Sequence, residues 1–469
     1  MAGIGFKLQK LLSGDDYTSA VKAFGFSTLI TAGPFLITIM LVVFIQLISI
    51  RTLTGRGMAY LQTLITYAYA LSLMTVGPSY LVLTRYVADE YYRGHVTSFS
   101  AAFFSAYTLN LAVWGLPVFW FFSGIGAGWD IRLAAFMLYA LALGIWLAMI
   151  FLSAAQDYWG VSKAFLWGLA TSIILSWALG TYKGMSGYFT GFVLGQAAVL
   201  ASLVTTMLKE FGYWEPRDHN WLRYFKVHPR LAGIGLFYNV GIWADKILFW
   251  VSSEGEWLDA RLRYCPIYDS PMFFAYVSII PTFVHFFLLL ETDFFHKYHD
   301  YYASIQAQEG MSVLERRRQG IVDSLRHNLT RVLILQGLVS AACLLVTPWF
   351  VEVTQMNPLQ MSVLRIGIYG ALLQGAALIL QNILLYFDHQ EEALKVSAVF
   401  CLSNFAATAV SLKLGLPYYG YGFAVAGLLT TAVAAFYLVE RIRLLHYWTF
   451  CRQPFPEPVL IADGKDSEI

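Results

Sequence analysis

The chain has 469 residues, of which 58% are hydrophobic and only 13% are charged, and its formal net charge is +2. Ordinary globular domains carry about 25% charged residues, so this composition excludes a soluble protein with a large polar surface. The net charge gives no sign of nucleic-acid binding.

Apolar segments of membrane-spanning length fill almost the whole chain. A hydrocarbon core roughly 30 Å thick needs about 20 residues of helix, and Met58 to Thr84, for example, contains no charged residue. The segments are too long for barrel strands and do not alternate in polarity, so we predict an all-α membrane protein. The twelve predicted spans are 24–50, 58–84, 97–122, 133–156, 164–182, 184–208, 231–253, 270–290, 332–351, 366–387, 396–412 and 414–439.

The charges in the loops predict an orientation. With the N-terminus in the cytoplasm, 22 of the 31 Lys and Arg residues fall in inside loops and eight in outside loops, while Lys246 lies within a span. Cytoplasmic loops of membrane proteins are rich in Lys and Arg, so this bias favours an N-in, C-in topology. Losing one span would exchange the sides of every later loop and remove the bias.

Residues 1–22 precede the first span and begin MAGIGFKLQKLL. Ile4, Leu8 and Leu11 recur at helical spacing with Lys7 and Lys10 off that face, which predicts a short helix at the cytoplasmic interface. The alternative is a leader that only sets the topology. The first span is too long for a cleavable signal peptide, so none is expected.

The sixth span ends the first half of the chain, which suggests two bundles of six helices each. Spans four and ten both end in an acid followed by a lysine, at Asp157 and Asp388, and spans two and eight each contain a proline, at Pro78 and Pro281. Both pairs match in order, as a parallel internal repeat requires. The predicted parts are the interfacial helix 1–22, the first bundle 23–209, a cytoplasmic linker 210–230, the second bundle 231–445 with a cytoplasmic helical loop 291–331, and a cytoplasmic tail 446–469.

Small and helix-breaking residues mark particular spans. Glycines every four residues in span six, at Gly187, Gly191 and Gly195, predict close packing of a neighbouring helix. The pairs Gly33-Pro34 and Gly77-Pro78, and Pro281, would break or kink their helices, and we consider them either ordinary bundle kinks or points of gating.

Charges inside or at the rims of spans are expensive, so they are candidate functional groups. Asp245 and Lys246 lie within span seven. Neighbours in a helix point about 100° apart, so they need not pair. Either Lys246 extends towards the surface while Asp245 faces a wet cavity, or Asp245 is a cavity acid that meets substrate or a proton.

Four further acids lie at span ends on the predicted cytoplasmic side. Glu291 and Asp293 end span eight near His285, and Asp157 and Asp388 end spans four and ten. Each alone is an ordinary interfacial charge, but together they would form an acidic rim at an inward-facing mouth.

Several patterns are missing from the sequence. It has no GxxxxGK[ST] loop for ATP, no HExxH, no paired CxxC and no QxxRW of a glycosyltransferase. We therefore predict no cofactor, no metal and no enzymatic domain. Of the four cysteines only Cys265 falls in an outside loop, so we expect no disulfide and expect Cys265 to react with an impermeant thiol reagent from outside.

Four runs of sequence point to a family. They are MAGIGFKLQKLL (1–12), AFGFSTLITAGPFL (23–36), LLLETDFFHKY (288–298) and YFDHQEEAL (386–394). With the length and the number of spans, they resemble the Pel exopolysaccharide transporter family, the PelG-like inner-membrane proteins, over essentially the whole chain. Members commonly have an acidic residue near the position of Lys7, and this chain departs from that pattern.

The resemblance implies the two-bundle fold of the multidrug and polysaccharide flippase superfamily, and transport of the cationic Pel polymer across the bacterial inner membrane. It implies a cytosolic glycosyltransferase and two further inner-membrane subunits as partners, one sensing cyclic di-GMP, and it carries over no catalytic residues. Two other hypotheses stay open: an ion-coupled exporter of small cationic or amphipathic compounds, and a membrane scaffold or enzyme that transports nothing. Spans one to six hold no carboxylate away from their rims, which favours the polymer over the coupled exporter.

Overall fold

The computed structural model describes residues 33–49, 52–155, 158–212, 219–354 and 356–451, and these are almost entirely helical. The predicted interfacial helix 1–22 and most of the predicted tail 446–469 lie outside the described residues. The helices are α1 Gly33–Ser49, α2 Gly55–Arg93, α3 Phe99–Ser123, α4 Trp129–Ala155, α5 Tyr158–Lys183, α6 Met185–Phe211, α7 Arg223–Val227, α8 Pro229–Val251, α9 Pro266–Val277, α10 Ile280–Leu289, α11 Phe295–Gln306, α12 Met311–Val353, α13 Pro358–Tyr386, α14 Gln390–Leu414, α15 Tyr421–Arg443 and α16 Leu445–Cys451.

Short elements join some of these helices. A two-stranded antiparallel hairpin, β1 Glu256–Trp257 and β2 Arg263–Tyr264, links α8 to α9. A π-helical turn, Leu290–Phe294, joins α10 to α11. Single 3-10 turns are at Val96–Ser98, Asn220–Leu222 and Leu416–Tyr418.

Within the described ranges, ten helical segments are long and apolar enough to cross a membrane. They lie in α3 to α6, in α8, in α9 together with α10, and in α12 to α15. The two remaining predicted spans correspond to α1, described over 17 residues, and to α2, which has 39 residues and more polar side chains. The all-helical membrane class is confirmed, whereas the number twelve and the N-in, C-in orientation stay predictions.

Two predicted element boundaries are corrected. The predicted loop 291–331 does not end before span nine, because its second part and that span form one helix, α12, of 43 residues and about 65 Å. Span eight is divided into α9 and α10, and Pro281 lies in the first turn of α10. Proline has no backbone N–H to donate, so the first turn of a helix, where that N–H would have no partner within the helix, accommodates it best.

The glycines of α6 lie against α5. A Cβ atom on Gly191 would overlap the backbone of Ser176, and one on Gly187 would overlap the carbonyl of Leu179. A Cβ atom on Gly195 would meet the side chain of Ser172. Only a hydrogen atom fits at these positions, so the two helix backbones approach closely along most of their length.

Candidate functional site

Helix α2 of the first half packs along α8 of the second half, and the two cross at a pair of glycines. A Cβ atom on Gly77 would lie 2.7 Å from the carbonyl oxygen of Gly235. The same carbonyl accepts a hydrogen bond from Asn239 Nδ2 at 2.8 Å. Helix α2 is continuous through Gly77 and Pro78, so the helix does not break there, and a kink at this position stays a prediction. The glycine allows a backbone contact here, which brings the two halves together.

Asp245 and Lys246 lie deep in α8 and are paired, which corrects the expectation that they point apart. Lys246 Nζ donates to both carboxylate oxygens of Asp245, at 3.1 and 3.0 Å, and to the carbonyl of Ile242 at 3.1 Å. Asp245 is 0% exposed and Lys246 is 8% exposed. Separating two charges in a low-dielectric interior costs more than folding back a flexible lysine side chain, so the lysine does not extend to the surface.

Neutral groups complete the surroundings of this ion pair. Tyr268 donates to Asp245 Oδ2 at 2.7 Å, and Asn404 Nδ2 donates to Asp245 Oδ1 at 3.3 Å. The Lys246 ammonium also lies 4.7 Å from the ring centre of Tyr276. Asp245 therefore has its acceptor sites occupied and no exposed surface, so in this conformation it does not line an open path.

The interior of the first half has polar contacts of a different kind. Four side-chain hydrogen bonds tie α2 to its neighbours within the first half, and all four join neutral groups: Thr75 with Tyr139, Ser79 with Asn110, Tyr69 with Gln196 and Ser72 with Trp146. In this part of the described structure the interior of the two halves is therefore asymmetric, with a buried ion pair in the second half and neutral hydrogen bonds in the first.

At the end predicted to face outward, the hairpin between α8 and α9 docks onto the first half. Asp259 Oδ2 accepts hydrogen bonds from Tyr60 and, at 3.1 Å, from the backbone N–H of Gly126. Arg261 donates to the carbonyl of Phe121 at 3.1 Å, with its guanidinium 4.1 Å from the ring centre of Trp120. The hairpin thus joins the halves at this end.

Leu258 and Leu262 of the same hairpin are buried among apolar residues of the first half. No local sequence pattern predicts that the hairpin is part of the site. The available signal is the group of charged residues in this predicted outside loop, which are Glu254, Glu256, Asp259, Arg261 and Arg263.

At the opposite end of the contact between α2 and α8, an ion pair joins the two halves. Arg85 of α2 lies 3.2 Å from Asp89 and 3.6 Å from Asp388. Asp388 follows α13 and has φ of 59°, a left-handed conformation that Asp and Asn tolerate better than most residues. Nearby, Arg230 at the start of α8 pairs with Glu391 of α14 at 3.5 Å.

The other predicted rim acids are placed less directly. Asp293 lies in the π-helical turn and accepts from Ser324 at 2.5 Å and from Asn328 at 3.0 Å. The neighbouring Phe294 packs 5.9 Å from Phe387, ring centre to ring centre, so the segments bearing Asp293 and Asp388 are adjacent. The side chain of Glu291 and all of Asp157 lie outside the described residues, so an acidic rim of four groups stays a prediction. Gly33 and Pro34 begin the described chain.

Cys265 corrects another expectation. Its side chain is buried, and burial with the nearby Asp269 raises the pKa of the thiol to about 12. An impermeant reagent will not reach it. Among the described residues no three His, Cys, Asp or Glu side chains are grouped so as to hold a metal ion.

Comparison with known proteins gives one family and one fold. The family described as "PelG: Putative exopolysaccharide Exporter (EPS-E)" matches residues 1–450. No curated protein matches the chain.

The solved structures that are similar include multidrug-resistance MATE transporters of the MOP superfamily. An outward-facing one has 12% identity and a TM-score of 0.61, covering 93% of this chain and 98% of its own. An inward-facing one has 13% identity and a TM-score of 0.60, covering 87% and 95%. A MOP superfamily transporter from Pyrococcus furiosus, described with a binding pocket of reverse polarity, has 13% identity and a TM-score of 0.59, covering 93% and 98%. At these identities the likeness shows the fold, which is that of MOP-superfamily transporters.

Proposed function

The chain belongs to the PelG family of exopolysaccharide exporters, and we propose that it carries a Pel-like cationic exopolysaccharide across the bacterial inner membrane, coupled to synthesis by a partner glycosyltransferase. The observation that carries the proposal is the family match over residues 1–450, which includes both halves of a transporter fold. The cationic substrate and the coupling to a synthase are the parts that need testing.

The neutral and charged groups inside the two halves support the export of a polymer rather than export coupled to an ion. The hydrogen bonds described above in the first half join neutral groups, and Asp245 in the second half is neutralised by its own neighbour, Lys246. A coupled exporter needs a buried acid that can bind and release a proton or cation, and Asp245 already has a fixed partner. An exporter without such a group would take its drive from outside the chain, and chain growth at a glycosyltransferase would supply it.

The acids at the predicted cytoplasmic end support a cationic substrate. Asp388 is about half exposed on the side chain, and its pairing with Arg85 at 3.6 Å is loose. Asp293 is exposed as well. Carboxylates at an entrance raise the local concentration of a cationic chain, an effect that weakens as ionic strength increases.

The test replaces Asp293 and Asp388 with Asn, together with Glu291 by Gln, and measures polymer in the periplasm of the producing cell. Asn suits the left-handed conformation at Asp388, so that replacement changes charge without backbone strain. The matched control is Asp323→Asn, an exposed acid of α12. We expect the triple variant to insert normally and to lose most export, with the control unchanged. Unchanged export from a correctly inserted triple variant would contradict the acidic entrance.

Two other functions are separable by experiment. Reconstituted protein that expels small cationic compounds when only an ion gradient is imposed would support the ion-coupled exporter. A variant that keeps the synthase complex assembled yet leaves polymer in the cytoplasm would exclude a pure scaffold. Copurification with a cytosolic glycosyltransferase tests the proposed coupling directly.

A further inference from the structure

Two aromatic side chains from different halves stack on each other near the predicted outer end. The rings of Tyr67 in α2 and Trp250 in α8 have centres 4.6 Å apart and planes inclined by 18°. Trp250 is the second-to-last residue of α8, and the Tyr67 hydroxyl donates to the carbonyl of Arg263 in β2 at 2.9 Å. The stack therefore lies next to the hairpin. It is separate from the glycine crossing, because Gly77 follows Tyr67 by about 15 Å along α2.

Each ring of this stack is held in place by its own half. Trp250 Nε1 donates to both carboxylate oxygens of Asp269 in α9, at 3.0 and 2.9 Å. The backbone N–H of Cys265 donates to Asp269 Oδ2 at 2.8 Å, which orients the carboxylate. On the other side of the contact, Tyr67 lies nearly parallel to Phe121 of α3, with ring centres 5.7 Å apart and an angle of 9°. Both rings therefore keep a partner in their own half if the halves separate.

This arrangement lets the contact open without leaving the indole N–H unpaired. Trp250 and Asp269 belong to the same half, so their hydrogen bonds survive a separation of the halves. The Tyr67 hydroxyl gives up the carbonyl of Arg263, and it then faces the opening, where water replaces that acceptor. An unpaired buried donor is costly, so a contact that avoids one opens and closes more easily than a contact that creates one.

We propose that the stack of Tyr67 on Trp250 is the outer gate of the path between the two halves, and that Asp269 is the positioning residue that holds Trp250 in its closed orientation. The proposal rests on the proposed function, because that function supplies the path. In the closed state the two rings fill the space between α2 and α8 beside the hairpin. In the open state each ring stays on its own half. Asp269 acts through Trp250, since the N–H that it accepts fixes the plane of the indole ring facing Tyr67.

The experiment measures opening of the gate without any substrate. Trp243 of α8 packs beside Trp250, about two turns nearer the middle of the helix, so Trp243→Cys places a reporter thiol behind the gate. The purified full chain in nanodiscs is treated with a charged thiosulfonate that does not enter the bilayer, and the modified peptide is identified by mass spectrometry. Nanodiscs leave both membrane faces accessible, so the result does not depend on the orientation of the chain.

Loss of the stack should speed up labelling of the reporter thiol. In the Trp243→Cys protein, adding Tyr67→Leu or Trp250→Leu should raise the labelling rate about fivefold, because the lost stacking stabilised the closed state and labelling proceeds through the open one. Trp177→Leu, which removes a 61% exposed Trp of α5, is the matched control and should leave the rate unchanged. Equal labelling rates in the stack variants, the control and the Trp243→Cys parent would overturn the proposal.

A second pair of variants tests the role of Asp269. Asp269→Asn keeps the size of the side chain but leaves one acceptor oxygen for two donors, and it should raise the labelling rate about threefold. In a Trp250→Phe background, which has no indole N–H, the same replacement should add nothing further. If Asp269→Asn raises the rate equally in both backgrounds, Asp269 acts on the start of α9 and is not a positioning residue.

Two further measurements separate this gate from misfolding and from the proposed function. Cys401 of α14 is 4% exposed, so it should stay unlabelled in every folded variant. If labelling of Cys401 shows that Trp250→Leu misfolds, Tyr67→Leu tests the same contact from the other half. Polymer in the periplasm of a producing cell is measured separately. Faster labelling of a protein that exports no polymer would confirm the gate and contradict the proposed function.

Discussion

Lys246 donates to both carboxylate oxygens of Asp245, the residue that directly precedes it in α8. Adjacent residues of a helix point about 100° apart, so this contact exists because the long lysine side chain folds back over its own helix. The ammonium also reaches the carbonyl of Ile242, one turn earlier. The pair is therefore a self-contained neutral unit inside the second half, and it can be removed as a unit.

Replacing one member of this pair should destabilise the protein strongly. Asp245→Asn or Lys246→Met alone leaves one buried charge without a partner, which costs about 3–5 kcal/mol of unfolding free energy. The double variant leaves no charge and should be clearly more stable than either single variant. Thermal unfolding in detergent compares the three, with Lys413→Met, an exposed lysine, as the control. If the double variant is as unstable as the less stable single variant, the pair contributes to stability by more than the neutralisation of two charges.

The same double variant distinguishes two transport mechanisms. If polymer growth drives export, a correctly folded Asp245→Asn and Lys246→Met variant should export at least half as much polymer as the unchanged protein. An ion-coupled mechanism that uses Asp245 predicts near-complete loss. Periplasmic polymer, normalised to the amount of inserted protein, is the measurement.

The crossing of α2 and α8 predicts a position-specific effect of a single methyl group. Gly77→Ala would place its Cβ atom 2.7 Å from the Gly235 carbonyl oxygen, so the helices must separate. Overpacking of this kind costs about 1–3 kcal/mol. Gly337→Ala in α12 meets no atom within 4 Å and should be neutral or slightly stabilising. Melting temperatures of the two variants check the difference, and equal values would show that the helices are not in contact at Gly77.

The sequence predicts the membrane class, most span positions and the family because each depends on composition or on runs of consecutive residues. It does not predict how side chains distant in sequence meet. The docking of Asp259 on Tyr60 joins residues about 200 positions apart, and no local pattern marks it. The spacing of side chains on a helix also fails to predict contacts between buried charges. Helical geometry alone points Asp245 and Lys246 apart, but the low dielectric of the interior favours their pairing. The burial of Cys265 is a further example, because its position in a predicted loop does not show whether its thiol is exposed.

The burial of Cys265 makes a labelling prediction. The thiol is inaccessible and its pKa is raised to about 12 by burial, so it should not react with an impermeant maleimide on intact spheroplasts. Lys183→Cys, at an exposed position of a predicted outside loop, should react under the same conditions. The exposed Cys451 should react only after the membrane is opened. Labelling of Cys451 on intact spheroplasts would contradict the N-in, C-in topology.

The docked hairpin predicts that locking it to the first half will stop export. A Cβ atom on Gly126 would lie 3.2 Å from the Cβ atom of Asp259, slightly closer than in most disulfides, so a Gly126→Cys and Asp259→Cys pair should form one with a small adjustment. A polymer that leaves between the halves must displace the hairpin, since its leucines Leu258 and Leu262 are buried in the first half.

We expect the oxidised pair to export less than a tenth of the polymer exported by the same protein after reduction. The two single cysteine variants are the controls, because neither can form the crosslink. Asp259→Cys alone measures the effect of losing the Asp259 hydrogen bonds, and Gly126→Cys alone measures the effect of the added side chain. The native Cys265 is buried and should not compete for the new thiols. Crosslinking yield is read from a gel-mobility shift after cleavage of an engineered site in the predicted linker 210–230 between the halves. If export continues when crosslinking is complete, the polymer leaves by a route that does not require the hairpin to move. It then does not leave between α2 and α8.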